Sequence, residues 1–389
     1  MAEALKILLY TDLTIQPDQL FWHRDLGLLT QAFRELGHEA WLVVHPAHPT
    51  ADRSPSGSKG EPVLWASPNE VRQPLWWKKE KPDIVILGLW TRPKYDAVRR
   101  AALATTSRVL ERADSDGMRT ASCGLKTYFQ RRFDYFRDRT YPWPALLSIP
   151  LSFLYALGSI LATPWVERRL AKTLDLIPCL IVETPGALTL WQKLATRLQK
   201  DPQRIFHVPH PVQTHIFRHD PTVTKENRLL SVGRWNSYQK NFPFLQKVMS
   251  EFLLHHPAWE ADVVGATTCC SSPADSIRYL GECRPGELAK IMQKSRIFLS
   301  SSRYESFGLA AAEALCCGCV PVGPPGLVAL EYFQSFLPEG RKKWCLTKVS
   351  SWIGQLPDPS QVSHMATRAN QAFDPRQVAQ SLLKLTAVD

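Results

Sequence analysis

Two glutamates, Glu305 and Glu313, lie eight residues apart in the stretch SSRYESFGLAAAEALCCGCVPVG, which runs from Ser301 to Gly323. The apolar spacing predicts a helix from Phe307 to Cys317, so Glu305 precedes the helix and Glu313 lies inside it. At about 1.5 Å of rise per residue, the two carboxylates are roughly 10–12 Å apart. Either Glu305 is only a partner for the helix dipole, or both carboxylates hold one elongated ligand that carries hydroxyl groups.

Two cations follow an apolar strand-like run in the same half of the chain. Gly233 and Arg234 come directly after Leu229–Val232, and Lys240 and Asn241 stand just before a predicted helix. Ligands of open α/β sheets bind outside the carboxyl ends of the strands, so both cations would reach one crevice. A forked guanidinium and a point-charged ammonium suit a diphosphate, and the alternative is two solvated surface charges.

Strand-like and helix-like segments alternate along the whole chain, which predicts an α/β fold with two doubly wound, Rossmann-like domains. The predicted strands are Lys6–Tyr10, Ala40–Val44, Asp83–Gly88, Ser107–Leu110, Leu180–Glu183, Leu229–Val232, Ala261–Val264 and Ile297–Ser300. The predicted helices are Leu26–Leu36, segments near Pro243–Phe252 and Glu287–Lys294, and Arg376–Leu385.

A proline- and histidine-rich segment, Phe206–Phe217, separates the two halves and is interpreted as a linker. We therefore expect domains at 1–206 and 207–375, with the helix in 376–389 packing back on the first domain. Thr50–Gly60, rich in Pro, Ser and Gly, is expected to be a loop.

The composition favours anionic partners. Among 389 residues, 47 are basic and 36 acidic, which gives a net charge of +11. Such a balance suits nucleotide phosphates or acidic lipid headgroups, whereas nucleic acid is disfavoured because no nucleic-acid-binding motif occurs. The nine cysteines and the absence of a secretory signal at the N-terminus favour reduced thiols in a cytoplasmic protein. Cys316-Cys317-Gly-Cys319 and the vicinal pair Cys269–Cys270 are interpreted as packing residues, since no second ligand pair completes a zinc site.

An uncharged segment, Trp143 to Val166, is long enough to span a bilayer. Its position between strands of one sheet and its three prolines argue against a span. It is either a buried helix pair of the first domain or a monotopic element that enters one leaflet. Basic and aromatic residues in Arg119–Arg139 and cations from Arg168 to Lys172 favour the second reading.

The second half resembles the donor domain of GT-B glycosyltransferases, particularly the retaining family 4 type (glycosyl transferases group 1). The matching elements are Val232-Gly233-Arg234, Lys240-Asn241, Gly281 with Gly286-Glu287-Leu288, Ser302 to Ala314, and Gly318 to Val322. The resemblance implies a two-domain GT-B architecture whose domains face a cleft.

The resemblance also implies roles for the residues singled out above. Arg234 and Lys240 would bind the donor diphosphate, with Gly233 and Asn241 beside them. Glu305 would contact the transferred sugar, with the backbone of Phe307, Gly308 and Leu309 nearby, and Glu313 would hold the ribose.

The first half departs from the family pattern at two places. Phe21–Asp25 stands where many members have a Gly-Gly loop, and Arg112–Gly117 stands where many have a histidine. Asp116 and His23 are the candidate cleft residues on the acceptor side. The alternative roles are turn formation for Asp116 and packing at a helix N-terminus for His23. Asp114-Ser-Asp116 also matches a metal-binding D-x-D, which is a short motif that arises by chance.

The resemblance implies a retaining, metal-independent hexosyltransferase that moves a sugar from a nucleotide-sugar donor to a lipid-linked or saccharide acceptor, without a cofactor. Domain closure about the linker would exclude water. The expected location is the cytoplasm, with peripheral association at an anionic membrane surface. The alternatives are a sugar-nucleotide epimerase or hydrolase on the same scaffold and a non-catalytic binding protein of a glycan pathway.

Overall fold

The computed structural model describes residues 3–14, 23–45, 62–139, 143–266, 276–338 and 356–386. The expected loop Thr50–Gly60, the pair Cys269–Cys270, and Phe21 with Trp22 lie outside these residues. The chain forms two compact units. The first comprises Met1–Phe133, Pro150–Pro211 and Asp374–Asp389, and the second comprises Asp134–Ile149 and Val212–Phe373.

The first unit is built on a parallel seven-stranded sheet with the strand order β3-β2-β1-β4-β5-β6-β7. Its strands are β1 (Lys6–Thr14), β2 (Glu39–His45), β3 (Val63–Trp65), β4 (Ile84–Gly88), β5 (Val109–Arg112), β6 (Cys179–Val182) and β7 (Ile205–His207). Its helices are α1 (Leu26–Glu35), α2 (Pro74–Glu80), α3 (Asp96–Leu103), α6 (Thr163–Leu174), α7 (Pro185–Arg197) and α13 (Pro375–Thr386). Two further helices, α4 (Leu125–Arg139) and α5 (Ala145–Leu161), extend across the sequence boundaries of the units.

The central strand β1 shows why this sheet has helices on both faces. Ile7, Leu8 and Leu9 are all fully buried, as expected for a parallel strand covered on both sides. Ile7 and Leu9 belong to a core cluster with α1 and α13, whereas Leu8 belongs to a cluster with α2 and α3. The alternation of side chains along one strand therefore contributes to a core on each face of the sheet.

The second unit has a parallel five-stranded sheet in the order β10-β9-β8-β11-β12. Its strands are β8 (Glu226–Val232), β9 (Glu260–Val264), β10 (Ile277–Gly281), β11 (Ser295–Leu299) and β12 (Val320–Val322). Its helices are α8 (Phe242–His255), α9 (Pro285–Lys294), α10 (Leu309–Cys316), α11 (Val328–Gln334) and α12 (Pro359–Phe373). Cys316, Cys317 and Cys319 are buried in its core.

A half-buried lysine, Lys225, ties three elements of the second unit together. The Lys225 ammonium donates hydrogen bonds to the carbonyls of Met292, Ser295 and Cys317 at 3.0, 2.8 and 2.8 Å. Met292 lies in the last turn of α9, and Cys317 caps α10, so the cation meets carbonyls at the C-terminal ends of two helices, where a positive charge is favourable. Burial lowers the pKa of Lys225.

Two expected segment boundaries differ from those observed. Phe206 and His207 belong to strand β7 rather than to a linker, and the first unit continues to Pro211. The chain returns to the first unit at Asp374, where Val378, Ala379 and Leu382 of α13 pack in the cluster that contains α1. A strand of three residues carries too little periodicity to be recognised beside two prolines.

The uncharged segment forms helix α5 and the start of α6, and most of its large side chains in α5 are exposed. Of the two alternatives for this segment, the buried helix pair therefore does not hold for α5. Among the described residues, no single helix has both the length and the hydropathy to cross a bilayer. The α5–α6 pair satisfies both criteria only as a unit bent by 51°.

Candidate active site

Two loops of the second unit are joined where strands β8 and β11 end. The backbone N–H of Arg303 donates to the Gln239 carbonyl at 2.8 Å, and the Ser301 hydroxyl donates to the Lys240 carbonyl at 2.5 Å. Because β8 and β11 are neighbours in the sheet, their carboxyl ends bring the two loops together. The structure thus unites the two sequence motifs that contain Lys240 and Glu305.

The Glu305 carboxylate is held from several sides. The Lys240 ammonium forms a close ion pair with Oε1, and the Ser302 hydroxyl donates to the same oxygen at 2.7 Å. The Gln239 amide donates to Oε2 at 3.2 Å. The Lys240 and Glu305 side chains are only 18% and 12% exposed, so water screens this pair less than it screens a surface pair. Glu305 is therefore a fixed acceptor at the edge of a pocket.

The pocket is lined by Lys240 and Glu305 and continues to the start of α10. Gly308, which also lines it, precedes α10 with φ of 82°, a left-handed conformation that favours glycine. No side chain caps this helix terminus. Its first backbone N–H groups can therefore meet an anionic or hydroxylated ligand.

Phe307, Leu309 and Glu313 occupy different surroundings. The Phe307 side chain is 1% exposed and packs edge-on against Phe333 and Phe373, with ring centroids 5.2 and 5.4 Å away. Phe307 can therefore offer a ligand only its backbone. Leu309 and Glu313 are half-buried on α10, and among the described residues neither lines the pocket that contains Glu305.

Arg234 and Gly233 lie at the carboxyl end of β8. The Arg234 side chain is exposed, and within the described part of the chain it forms no ion pair. Gly233 is in close contact with Gly265, where an added Cβ would come within 1.9 Å of the Gly233 carbonyl oxygen. The backbone is thus packed tightly next to a free guanidinium, which remains available to an anion.

Asn241 has a structural contact that the sequence does not reveal. It adopts φ of 52° immediately before α8, and its side-chain oxygen accepts a hydrogen bond from the Arg303 guanidinium at 3.0 Å. The same guanidinium lies 4.4 Å from the centroid of the Tyr238 ring. Asn241 therefore helps to fix the two loops on which Lys240 and Glu305 stand.

A second pocket lies in the first unit, at the carboxyl ends of its strands. It is lined by Thr11, Asp12, Asp25, Gly88, Leu89, Trp90, Tyr95, Arg112, Asp114, Glu183 and His210. Strands β1 and β4 are neighbours whose following connections lead to opposite sides of the sheet. Such a switch point is where open α/β sheets bind ligands.

A buried charge cluster forms the floor of this second pocket. His210 Nδ1 lies 3.0 Å from Asp25 Oδ1, and His210 Nε2 forms a close ion pair with Glu183. The Arg112 guanidinium donates to the Pro209 carbonyl at 3.2 Å, while its Nε and Nη1 atoms are buried without a hydrogen-bond partner. Buried donors of this kind favour an occupant that can accept hydrogen bonds.

The pKa values of the cluster follow from burial and mutual attraction. Burial opposes a charge on His210, but Glu183 and Asp25 outweigh it and raise the pKa of His210 to about 10. Burial would raise the pKa of Asp25, yet His210 and Arg112 lower it. Burial dominates at Glu183 and raises its pKa. The imidazole is therefore an imidazolium at neutral pH.

Asp25 has strained backbone geometry, with φ of 49° and ψ of −124° directly before α1. Backbone strain at a residue other than glycine is common at functional sites. The sequence alone indicates no role for Asp25, Arg112, Glu183 or His210. The available signal is that Arg112, Glu183 and His210 each end or follow a parallel strand.

The two acceptor-side candidates from the sequence, Asp116 and His23, are each two positions from a residue that lines this pocket, but neither lines it. Asp116 accepts a hydrogen bond from Arg131 at 2.6 Å and another from the Met118 N–H, whereas Asp114 lines the pocket. His23 is exposed, two residues before Asp25. Among the described residues, no group of three or more potential ligands is arranged to hold a metal ion.

The two doubly wound units define a GT-B glycosyltransferase fold, and comparisons with known proteins agree. HepE of Anabaena, in a complex with UDP and glucose, matches with a TM-score of 0.62 at 12% identity over 98% of both chains. A glycosyltransferase from Rickettsia africae matches with a TM-score of 0.61 at 13% identity over 98% of both chains. Sucrose-phosphate synthase from Thermosynechococcus elongatus matches with a TM-score of 0.59 at 14% identity, again over 98% of both.

Residues 212–336 match the family model of Glycosyl transferases group 1. The resemblance to this family that the motifs indicated is thereby confirmed for this segment of the second unit. The matched segment contains both Lys240 and Glu305. Curated protein sequences give no significant match to the chain.

Proposed function

We propose that this protein is a retaining hexosyltransferase that uses a nucleotide-sugar donor. The observation that carries the proposal is the pocket of the second unit, where Lys240 and Glu305 are held together beside the uncapped start of α10. A cation beside a fixed carboxylate matches a donor with a diphosphate next to a hydroxylated sugar. The group 1 family match over the same residues supports this reading.

The reaction exchanges one bond at the anomeric carbon of the sugar. The bond to the diphosphate oxygen breaks while an acceptor hydroxyl forms a bond on the same face, and its proton passes to the departing phosphate. Arg234 and Lys240 offset the negative charge that develops on the diphosphate. Glu305 accepts hydrogen bonds from sugar hydroxyls, and Glu313 accepts them from the ribose diol. No metal or other cofactor is assigned a role.

The second pocket supports a hydroxylated acceptor bound by the first unit. Its carboxylates accept hydrogen bonds from hydroxyl groups, Arg112 donates to them, and the partly exposed Trp90 offers a flat apolar surface. Asp116 and His23 remain acceptor-side candidates of lower rank because neither lines this pocket. We propose a lipid-linked or saccharide acceptor at a membrane surface on the cytoplasmic side, consistent with the exposed apolar side chains of α5.

A donor screen tests the function. The protein is incubated with UDP-, GDP- and ADP-sugars, beginning with UDP-glucose because HepE is seen with UDP and glucose. Release of nucleotide that rises on addition of a lipid-linked or saccharide acceptor supports transfer. Release or epimer formation without acceptor supports an epimerase or hydrolase, and binding without turnover supports a binding protein. Glu305→Ala is the control, and unchanged turnover in that variant would contradict the site.

A further inference from the structure

Helix α5 has its apolar side chains on the outside. From Pro150 to its end, the fully buried residues are Ser152 and Ala156, which lie one turn apart on one face. The exposed large side chains are Leu151, Phe153, Leu154, Leu157 and Leu161, which we call the α5 apolar face. Leu161 is 72% exposed and Leu154 is 60% exposed. A surface helix in water normally shows the reverse distribution, so this face is built to be covered.

The border of this face carries aromatic and cationic groups. Trp165, at the start of α6, is 59% exposed, and the Arg169 guanidinium lies 4.7 Å from the centroid of its ring. An amphipathic aromatic side chain between apolar and charged groups is typical of a lipid headgroup boundary.

A basic groove continues from α6 to α3. Its cations are Lys94, Arg100, Arg169 and Lys172, all of them exposed, and we call it the basic groove. Its one carboxylate, Asp96, is already engaged by Arg99 at 2.8 Å. In the described part of the chain, Arg100, Arg169 and Lys172 pair with no carboxylate. The groove therefore keeps a net positive charge that suits phosphate groups.

We propose that the α5 apolar face and the basic groove together dock on an anionic phospholipid surface. Helix α5 lies in the headgroup–acyl boundary, and the groove takes headgroup phosphates. This inference deepens the membrane part of the proposed function, but it rests on surface groups that the donor pocket does not use.

Charge decides between lipid and a second copy of the chain. A symmetric dimer through this face would bring two identical sets of cations together, whereas an anionic membrane complements them. A bilayer span is disfavoured because α6 is fixed in the first unit. Leu170 and Leu174 of α6 lie in its core, and the Glu167 carboxylate accepts a hydrogen bond from Thr120 at 2.9 Å.

Vesicle co-sedimentation tests the proposal on the full chain. Phosphatidylcholine vesicles with and without phosphatidylglycerol are compared at low and high salt. We expect binding that needs phosphatidylglycerol and weakens at high salt. Arg169→Glu combined with Lys172→Glu should weaken this binding by about tenfold or more, because each cation near a charged membrane contributes substantially. Leu154→Ser combined with Leu161→Ser should have a similar effect.

Matched controls lie on the second unit. Lys290→Glu changes an exposed cation of α9, and Leu254→Ser changes a leucine of α8 that is 81% exposed, so neither should alter vesicle binding. Donor turnover is measured for every variant and should not change, which separates this inference from the proposed function. Equal binding to neutral vesicles, unchanged binding in both double variants, or a dimer that the leucine substitutions dissociate without any vesicle binding would overturn the proposal.

Discussion

The Lys240 ammonium and the Glu305 carboxylate form an ion pair although 65 positions separate them in the chain. Lys240 ends a short helical turn after β8, and Glu305 stands in the loop after β11. In this ion pair, the positive charge of Lys240 and the negative charge of Glu305 offset each other before any donor binds. The pair should therefore affect both the stability of the two loops and the chemistry of the pocket.

A double-mutant cycle with Lys240→Met and Glu305→Gln measures this coupling. Each single substitution leaves a partly buried partner without its ion pair. The sum of the two single losses in free energy of unfolding should therefore exceed the loss in the double variant by about 1 kcal/mol. Glu305→Gln should also lower kcat of transfer by roughly a hundredfold, because a charged acceptor becomes neutral. Urea unfolding and steady-state transfer provide the two measurements. Purely additive losses would show that the ion pair is incidental.

Arg234→Ala should separate function from stability. The side chain is exposed, so its loss should change the free energy of unfolding by less than about 0.5 kcal/mol. Affinity for UDP should fall by about tenfold, since a charge-assisted hydrogen bond to the diphosphate is lost. Isothermal titration with UDP gives the affinity. Arg296→Ala removes another exposed arginine of the same unit and should leave UDP affinity unchanged.

Trp90→Ala should affect the acceptor and spare the donor. Trp90 lines the pocket of the first unit and is 39% exposed, so its removal costs little stability. We expect KM for the acceptor found in the screen to rise by about tenfold, with KM for the donor unchanged. Leu75→Ala, at an exposed position of α2, is the control. A matching rise in donor KM would place Trp90 outside an acceptor site.

His210 should remain protonated through neutral pH. Because its pKa in the folded protein is about 10, its NMR signals should not titrate between about pH 5 and 8, where an ordinary histidine does. A histidine whose pKa is higher in the folded than in the unfolded protein stabilises the fold when it is protonated. This stabilisation is fully present below the unfolded-state pKa of about 6.5, and it is lost as the pH rises toward 10. In that window the free energy of unfolding should fall by up to about 1.4 kcal/mol per pH unit from this group.

Glu183→Gln gives the comparison for this prediction. Without the Glu183 carboxylate, the pKa of His210 should decrease and the pH slope of stability should flatten. A His210 signal that titrates near pH 6.5 in the unsubstituted protein would contradict the ion-pair assignment.

Lys225→Met should destabilise the second unit. The substitution keeps the length of the side chain but removes three hydrogen bonds from the ammonium to buried carbonyls, so the free energy of unfolding should fall by about 3 kcal/mol. Thermal and urea unfolding check this expectation. Lys290→Met, at an exposed position of α9, should stay within about 0.5 kcal/mol of the original.

The donor-side residues could be predicted because their motifs are local. Lys240 and Glu305 each follow a strand of the second sheet, and strand ends meet at one edge of a parallel sheet. The cluster of Asp25, Glu183 and His210 could not be predicted in the same way. Its members lie in three separate parts of the chain, and their contacts depend on strand order, which periodicity does not determine.

Helix α5 shows a second limit of sequence reasoning. A segment without charges has no polar face that marks the solvent side, so the sequence is compatible with either a buried or a lipid-facing orientation. The burial of Ser152 and Ala156 decides the orientation through packing, because small side chains permit close approach. The length of the apolar run alone carries no such information.

The placement of α13 has a consequence for how the protein is made. Val378, Ala379 and Leu382 complete a core whose other members include Ile7 and Leu29, so the first unit draws on segments that precede and follow the second unit in the chain. During synthesis, residues of the first sheet leave the ribosome long before α13 does. The core of the first unit therefore cannot be completed until the second unit has been translated. Until then, the apolar surface that α13 later covers is accessible to chaperones.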